Sequence, residues 1–309
     1  MIHYLVTAAH RYTIDKLLEA RAGALPVMIE PVTYEEAFRG RHFSSGTFIF
    51  TDLERLTVED QERAAKVWST LARAGRRIRL LNHPIDVMRR YELLRELFER
   101  GINDFNVYRL NEARRPQRYP VFIRSEDDHR GSQTILLRSA ADLDGAIAEM
   151  AALGRSRDSR LIVEFHAAAD DRGYFRVYGA QCIGGTVIPR SLVFGKHWVV
   201  KRTSVELDED LLAKEREFLA TNPHQDFVRR IFEIARIDYG RMDYTVVGGC
   251  LQVYEINTNP VLHYRNASVR HATHFPDLPS SVDRMVAALA ALDGPSAEAA
   301  GAARSTAEG

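Results

Sequence analysis

The sequence predicts an α/β fold that becomes α+β in its C-terminal half, and three observations support this prediction. Over residues 1–83, short apolar runs alternate with helical patterns, which is typical of βαβ units around a parallel sheet. After Tyr119, longer strand patterns are joined by Gly184-Gly185 and Gly248-Gly249, as in antiparallel hairpins. The chain has 309 residues, which is enough for two or three domains with separate cores.

The N-terminal region contains four predicted strands, each followed by a helix. Thr57 is the expected N-cap of the third helix, because Asp60 follows three residues later, and Gly75 lies just after its end. Pro84 opens the fourth helix and Gly101 ends it. In chain order we expect a strand at 2–7, a helix at 13–21, a strand at 26–30, a helix at 34–39, a strand at 47–52, a helix at 58–74, a strand at 77–82 and a helix at 85–100.

The C-terminal half is richer in predicted strands than in helices. We expect strands at 119–124, 133–138 and 160–166, a polar loop at 125–132, a helix at 140–153, hairpins at 173–193 and 241–257, and helices at 208–221 and 225–236. Residues 294–309 are rich in Ala, Gly and Ser, which indicates a disordered tail. The predicted domains are an N-terminal α/β domain over 1–110, a small domain over 115–165 and a C-terminal domain over 166–292.

The charge balance argues against several classes of partner. Lys and Arg together number 42, as do Asp and Glu, so there is no basic excess to neutralise a nucleic-acid backbone or a membrane surface. The sequence begins without a signal-peptide pattern and has no apolar run long enough to span a bilayer. With two cysteines in all, we expect a cytoplasmic protein.

The hairpin at 241–257 carries the most informative side chains. Glu255 and Asn257 are two residues apart on one strand, so they share a face. A two-residue loop that pairs residue 247 with 250 sets Asp243 against Tyr254, away from Glu255. A three-residue loop or an equivalent bulge pairs 247 with 251 and 243 with 255, which brings the two carboxylates together.

The second register also collects the apolar residues of the hairpin on the opposite face, so the pattern favours it. These residues are Met242, Tyr244, Tyr254 and Ile256. Two carboxylates and one amide oxygen form a site of hard oxygen ligands, which suits Mg²⁺ better than zinc. The alternative is a hairpin whose polar residues merely face solvent.

The segment RMDYTVVGGCLQVYEINTNP resembles the C-terminal motif of the ATP-grasp superfamily, and the resemblance extends over about residues 80–262. It implies an ATP-grasp fold in which the small domain is a lid and the N-terminal domain precedes the nucleotide-binding part. It further implies that Asp243, Glu255 and Asn257 hold two Mg²⁺ ions, or Mn²⁺, on the phosphates of ATP. Arg241 would then be the catalytic residue, beside the transferred phosphoryl group or the oxyanion.

The resemblance also implies contacts to the adenosine part of ATP. The segment LIVEFH looks like the hinge strand of the family, so Glu164, Phe165 and His166 would recognise adenine, with the Glu164 carboxylate near its amino group. Asp170 or Asp171 would lie near the ribose. Taken alone, an apolar strand that ends in Glu is more often an ordinary sheet strand.

Four cationic residues are implied at the phosphates. Relatives have Lys before the small domain and on its first strand, whereas this chain has Arg90 and Arg124, which can make the same bonds to phosphate. Arg176 and Lys201 would also point towards the phosphates or the substrate. For Lys201, and for Lys196 nearby, an ordinary solvated lysine is the alternative reading.

Two further segments bear on catalysis and substrate. The loop 125–132 reads SEDDHRGS where relatives are rich in Gly and Ser, and its three acids would repel a triphosphate unless they point outward or bind metal. His10 follows the first strand, where open α/β sheets bind ligands, and Arg265 suits a carboxylate. Both are candidate substrate contacts, with plain surface polarity as the alternative.

The resemblance therefore implies an ATP- and Mg-dependent ligase that joins a small-molecule or peptide carboxylate to an amine through an acylphosphate. Two alternatives remain open at this point: a kinase that phosphorylates a small alcohol with the same site, and a nucleotide-binding scaffold without turnover. Dimers are common among relatives, so a homodimer is a further expectation by analogy.

Overall fold

The N-terminal part is a four-stranded parallel sheet with the strand order β2-β1-β3-β4. It belongs to a computed structural model that describes residues 1–293 apart from 76, 113, 130 and 201–207. As predicted, the side chain of Thr57 caps α3 by accepting a hydrogen bond from the Asp60 amide. The elements are β1 (Ile2–Val6), α1 (Tyr12–Ala20), β2 (Ile29–Thr33), α2 (Tyr34–Phe38), β3 (Gly46–Phe50), α3 (Val58–Arg73) and β4 (Ile78–Leu81).

A second, antiparallel sheet has the strand order β5-β7-β6; it falls mostly within the segment 115–165 expected as a lid and is called the lid below, with β5 drawn from before residue 115. The fourth helix begins at Arg90 and not at residue 85, because the Met88 amide donates to the Ala235 carbonyl. The strand expected at 133–138 is absent from this described segment, which pairs with β6 only through isolated bridges. The elements are α4 (Arg90–Glu99), β5 (Val107–Arg109), β6 (Val121–Ser125), α5 (Ala140–Ala152) and β7 (Arg160–Glu164).

The C-terminal part is built on an antiparallel sheet with the strand order β11-β10-β8-β9. The two hairpins are those predicted, and the predicted α/β class with an α+β C-terminal half is confirmed. The elements are β8 (Phe175–Ile183), β9 (Thr186–Gly195), α6 (Glu209–Thr221), α7 (Gln225–Ala235), β10 (Tyr239–Val247), β11 (Cys250–Asn257), α8 (Arg265–His274) and α9 (Ser281–Leu292). The predicted tail at 294–309 lies outside the described residues.

The β10–β11 hairpin combines both registers considered from the sequence. Val247 pairs with Cys250 across a two-residue turn, so the predicted pairing of 247 with 251 is wrong. Gly248 and Gly249 both have positive φ, at 56° and 85°, which this kind of tight turn requires. A bulge then shifts the register, so that Asp243 pairs with Glu255 as predicted.

The bulge also changes which residue of β11 faces the core. Val253 pairs with Tyr244 and is fully buried in the central cluster, whereas Tyr254 is the extra residue. Tyr254 packs near Phe105, on the side of the lid. The expectation that Tyr254 shares the apolar face of Met242 is therefore wrong, because one additional residue reverses the alternation of side chains beyond it.

The N-terminal and C-terminal sheets share one hydrophobic core, which includes Phe48 and Phe50 of β3 and Met242 of β10. Asn82 ties them together, since it is fully buried and its Nδ2 donates to the carbonyls of Phe50 at 3.0 Å and Tyr239 at 2.8 Å. The lid has a core of its own within residues 108–162. Among the described residues, no helix is both long and apolar enough to cross a membrane.

Candidate nucleotide site

A cavity of about 180 Å³ lies between the lid sheet and the C-terminal sheet. Its inner part is apolar, with Phe122 and Val163 on the lid side and Val177 and Tyr254 on the other side. Trp198, in the loop after β9, covers it and packs with its ring centroid 5.0 Å from that of Phe122. The slot therefore presents aromatic and aliphatic surface from two sheets, as expected of a site for a flat, largely apolar group.

The other end of the cavity is charged and centres on Glu255 of β11. The carboxylate of Glu255 accepts hydrogen bonds from Arg90 Nη2 and Arg124 Nη2, each at 2.6 Å, and lies 3.1 Å from Nδ1 of His129. Burial alone would raise the pKa of Glu255, but Arg90, Arg124 and His129 outweigh it and hold the pKa well below its usual range. This end of the cavity thus holds an ionised carboxylate within a cationic shell.

Arg90 also fixes the loop that follows β6. It is the first residue of α4 and is nearly buried, with 5% of its surface exposed. Its Nη1 donates to the carbonyls of Ser125 and Glu126, both at 2.7 Å, and of Asp128 at 2.9 Å. One guanidinium group therefore holds both the loop backbone and the Glu255 side chain, through the several donors that Arg presents in fixed directions.

Two of the three acids of this loop are paired with arginines outside the cavity wall. Glu126 pairs with Arg109 at 3.2 Å, and Asp127 pairs with Arg89 at 2.8 Å. His129 is the loop residue that reaches inward, and its Nε2 lies 2.8 Å from a carboxylate oxygen of Glu54. The outward orientation of Glu126 and Asp127 removes much of the repulsion that the sequence SEDDHRGS suggests.

Four predicted site residues lie side by side on the adjacent strands β10 and β11: Arg241, Asp243, Glu255 and Asn257. Arg241 pairs with Asn257 and Asp243 with Glu255, so all four share one face. Arg241 Nη2 donates to Asp243 Oδ2 at 2.8 Å, and this carboxylate raises the pKa of Arg241. The structure thus brings the three predicted metal ligands together with the predicted catalytic residue.

The oxygen atoms of these side chains are of the type that a hard cation prefers, although the Glu255 carboxylate is engaged by Arg90, Arg124 and His129. Asn257 Oδ1 accepts one hydrogen bond, from the Asn259 amide at 2.8 Å, so an amide oxygen has a second lone pair to offer. Asp243 and Glu255 add carboxylate oxygens, which Mg²⁺ prefers. Within the described part of the chain, no group of three or more His, Cys, Asp or Glu side chains is placed to hold a metal ion.

The predicted hinge lies along the cavity, but its glutamate is already engaged. Glu164, Phe165 and His166 all line the cavity. The Glu164 carboxylate is buried and accepts hydrogen bonds from Tyr108 Oη at 2.9 Å and the Asn106 amide at 3.0 Å. Its role towards the adenine amino group stays a prediction, while Phe165 and His166 are placed to contact a ligand in the cavity.

Two other predicted contacts are not brought to the cavity, and a third lies outside the described residues. Val177 lines the cavity, so the alternation of side chains along β8 puts Arg176 on the opposite face, with Tyr178. Arg176 is thus corrected from a phosphate contact to a residue of the far face. Asp171 is exposed in the turn before β8 and is not part of the cavity wall. Lys201 lies outside the described residues.

Sequence reasoning missed three residues of the site, which are His129, Glu54 and Trp198. His129 and Glu54 meet across 75 residues of sequence, and no local pattern reports such a contact. Trp198 lies between Lys196 and Lys201 in the sequence. A tryptophan in such a polar loop indicates that the loop covers an apolar surface.

Comparison with known proteins gives similarity in structure only. No protein-family model matches the sequence, and no curated protein matches it. D-alanine–D-alanine ligase from Bacillus anthracis, solved with ATP, is 14% identical with a TM-score of 0.53, over 95% of this chain and 99% of that one. The corresponding ligase from Coxiella burnetii is 13% identical with a TM-score of 0.56, over 100% and 99% of the two chains. ATP-grasp ligase PsnB, solved with a precursor variant, Mg and ADP, is 13% identical with a TM-score of 0.53, over 95% and 97%.

Proposed function

We propose that this chain, which has the ATP-grasp fold, binds Mg·ATP in the cavity between lid and C-terminal sheet and uses it to join a carboxylate to an amine. One observation carries the proposal: the cavity is apolar at one end and has Asp243 and Glu255 among arginines at the other. ATP has the same two parts, since its adenine ring is flat and largely apolar whereas its triphosphate is charged. The structural neighbours named above include ligases solved with ATP or with Mg and ADP.

The adenine ring would lie in the apolar slot beneath Trp198. The Phe165 carbonyl and the His166 amide would read its edge, whereas the Phe165 amide already donates to the Pro120 carbonyl at 2.9 Å. The His166 carbonyl already accepts a hydrogen bond from Tyr254 Oη at 3.3 Å, so this part of the hinge is held in place. The ordered wall supports binding, since less of it has to be immobilised when the ligand enters.

The phosphates would lie at the charged end. Arg90 and Arg124 would exchange part of their pairing with Glu255 for phosphate oxygens, to which arginine makes strong charge-assisted bonds. Asp243, Glu255 and Asn257 would hold Mg²⁺, or Mn²⁺ in its place. When bound, the metal supplies positive charge that neutralises the phosphoryl group during transfer.

The reaction then needs no side-chain nucleophile. A carboxylate oxygen of the substrate attacks the γ-phosphorus, ADP leaves, and the acylphosphate that forms loses phosphate to an amine. Arg241 would stabilise the oxyanion of the tetrahedral intermediate, because its guanidinium group is fixed by Asp243 before the reaction begins. The substrate would be a small-molecule or peptide carboxylate.

Thermal unfolding with and without Mg·ATP tests the nucleotide site. We expect a ligand at about 100 times its Kd to add roughly 2.7 kcal/mol to the native state, which raises Tm by several degrees. Asn257→Ala should abolish the Mg-dependent rise, and Asp243→Asn should do so with less change of shape. Asn111→Ala, on the exposed surface of the lid, serves as the matched control and should keep the rise.

Product analysis then distinguishes the three activities. A ligase releases ADP and phosphate only when a carboxylate and an amine are both present, whereas a kinase releases ADP with a single alcohol substrate. A nucleotide-binding scaffold would show the rise in Tm and release neither product. If millimolar Mg·ATP leaves the Tm of the wild type unchanged, the proposed function is wrong.

A further inference from the structure

His10 lies at the carboxyl end of β1 and is held by a buried carboxylate. Its Nδ1 is 3.2 Å from Oδ2 of Asp52 and 2.9 Å from Oγ1 of Thr7, and the Thr7 hydroxyl donates to the same Asp52 oxygen. The Asp52 side chain is fully buried, whereas 30% of the His10 side chain is exposed. The pair therefore joins an inaccessible carboxylate to an accessible imidazole.

Asp52 is held in a conformation that ordinary residues avoid. It follows β3 and has φ of 61° and ψ of 21°, in the left-handed region, at the start of the short turn Leu53–Arg55. Its second carboxylate oxygen pairs with Arg55, which compensates the buried charge. A strained, buried and charged residue persists when the surrounding structure requires it, and such residues cluster at functional sites.

The contacts of Nδ1 determine which nitrogen of His10 can act as a base. Both neighbours of Nδ1 can accept its proton in a hydrogen bond, because Thr7 already donates its own proton to Asp52. Nδ1 therefore carries the hydrogen and Nε2 carries the lone pair. Among the residues that the structure describes, none forms a hydrogen bond with Nε2.

His10 lies beside the end of the metal-binding strand. Its carbonyl accepts a hydrogen bond from Asn259 Nδ2 at 3.5 Å, and Asn259 is two residues beyond Asn257. The turn that begins at Asp52 continues into the same region, since the Leu53 amide donates to Thr258 Oγ1 at 3.1 Å. These two contacts place His10 and the turn after β3 beside the segment that follows Asn257.

We propose that Nε2 of His10 accepts the proton of the amine substrate, with Asp52 and Thr7 as positioning residues. This inference rests on the proposed ligase function and adds the base for its second step. An ammonium group gives one proton to Nε2, and its nitrogen lone pair then forms the C–N bond with the acylphosphate carbon. The C–O bond to phosphate breaks with its electron pair, and the second proton of the amine leaves with the phosphate.

Hydroxylamine distinguishes the proposed proton transfer to His10 from the binding of ATP and the formation of the acylphosphate. It is unprotonated at neutral pH and attacks acylphosphates directly, whereas an amino acid presents an ammonium group that must first lose a proton. The wild type, His10→Gln and the control His42→Gln are each incubated with Mg·ATP and a panel of D- and L-amino acids, with and without hydroxylamine. His42 is exposed and lies on the loop before β3. Amide and hydroxamate products are then quantified.

We expect His10→Gln to lower the ratio of amide to hydroxamate by roughly 10²–10⁴-fold, the usual contribution of a general base. The Asp52→Asn variant should lower the same ratio, because its amide can present a hydrogen to Nδ1 and favour the wrong tautomer. His42→Gln should leave the ratio as in the wild type. If His10→Gln leaves the ratio of amide to hydroxamate unchanged, the inference is wrong, but the proposed function still stands. If the wild type forms neither amide nor hydroxamate from any of these carboxylates, the inference fails, and the rise in Tm with Mg·ATP then decides whether the nucleotide site of the proposed function stands.

Discussion

The Glu255→Gln substitution keeps the shape of the side chain and removes its charge from within the cationic shell. Removing one partner of a buried ion pair costs about 3–5 kcal/mol, because the remaining charge is left unpaired. Arg90 keeps its three carbonyl partners, so we expect a cost at the lower end of this range for Arg90. Arg124 loses a 2.6 Å contact, and its Nε is already buried without a partner among the described residues. We expect the free energy of unfolding to fall by about 3 kcal/mol, with a Tm lower by about 6 °C.

The assay is thermal unfolding without nucleotide, followed by circular dichroism. Glu62→Gln, an exposed residue of α3, is the matched control and should change the Tm by less than about 1 °C. Arg124→Met in the Glu255→Gln background should restore part of the loss, because it removes the uncompensated guanidinium group. A Tm of Glu255→Gln equal to that of the wild type, or strictly additive effects of the two substitutions, would refute the reasoning.

Three further predictions concern stability. Burial would raise the pKa of Glu54, but His129 and its other partners lower it to about 2, so its stabilisation is present above pH 4.5 and lost towards pH 2. Urea unfolding should therefore show Glu54→Gln less stable than the wild type by about 3 kcal/mol at pH 7, with the two converging in acid. Thr57→Ala removes the N-cap of α3 and should cost about 1 kcal/mol in the same assay, and no loss would contradict the cap. Gly240→Ala places a Cβ 2.9 Å from the Asn257 carbonyl and should cost about 1–3 kcal/mol, whereas Gly145→Ala, with open space in α5, should stabilise by up to about 1 kcal/mol.

The sequence was sufficient to predict the β10–β11 hairpin because the residues that determine it are close together in the chain. Alternating apolar residues favoured the pairing of Asp243 with Glu255, and the Gly248-Gly249 turn marked the end of the strands. The position of the bulge could not be read from this pattern, since a longer loop and a bulge give the same register at the site. Because the pattern leaves the bulge unplaced, it predicts Tyr254 on the core face. In the structure the bulge turns Tyr254 to the cavity.

The remaining parts of the site depend on contacts between distant segments. His129 meets Glu255 across 126 residues and Glu54 across 75, and neither contact leaves a periodic signal in the sequence. The resemblance placed Arg90 and Arg124 near phosphate, but it did not indicate that both would meet on Glu255. The direction of Arg176 also depends on where β8 begins to alternate, which a sequence pattern locates only within a residue or two.

The sharing of one core by the N-terminal and C-terminal sheets has a consequence for building chimaeras of this protein. An exchange of the N-terminal sheet would have to carry Asn82 and match the apolar surface that β3 presents to the C-terminal half. The lid has a core of its own within residues 108–162, but the other face of its sheet packs on Leu94 of α4 through Val107, Leu161 and Val163. A foreign lid would therefore have to match that surface and supply counterparts of Arg124 and His129, which both contact Glu255.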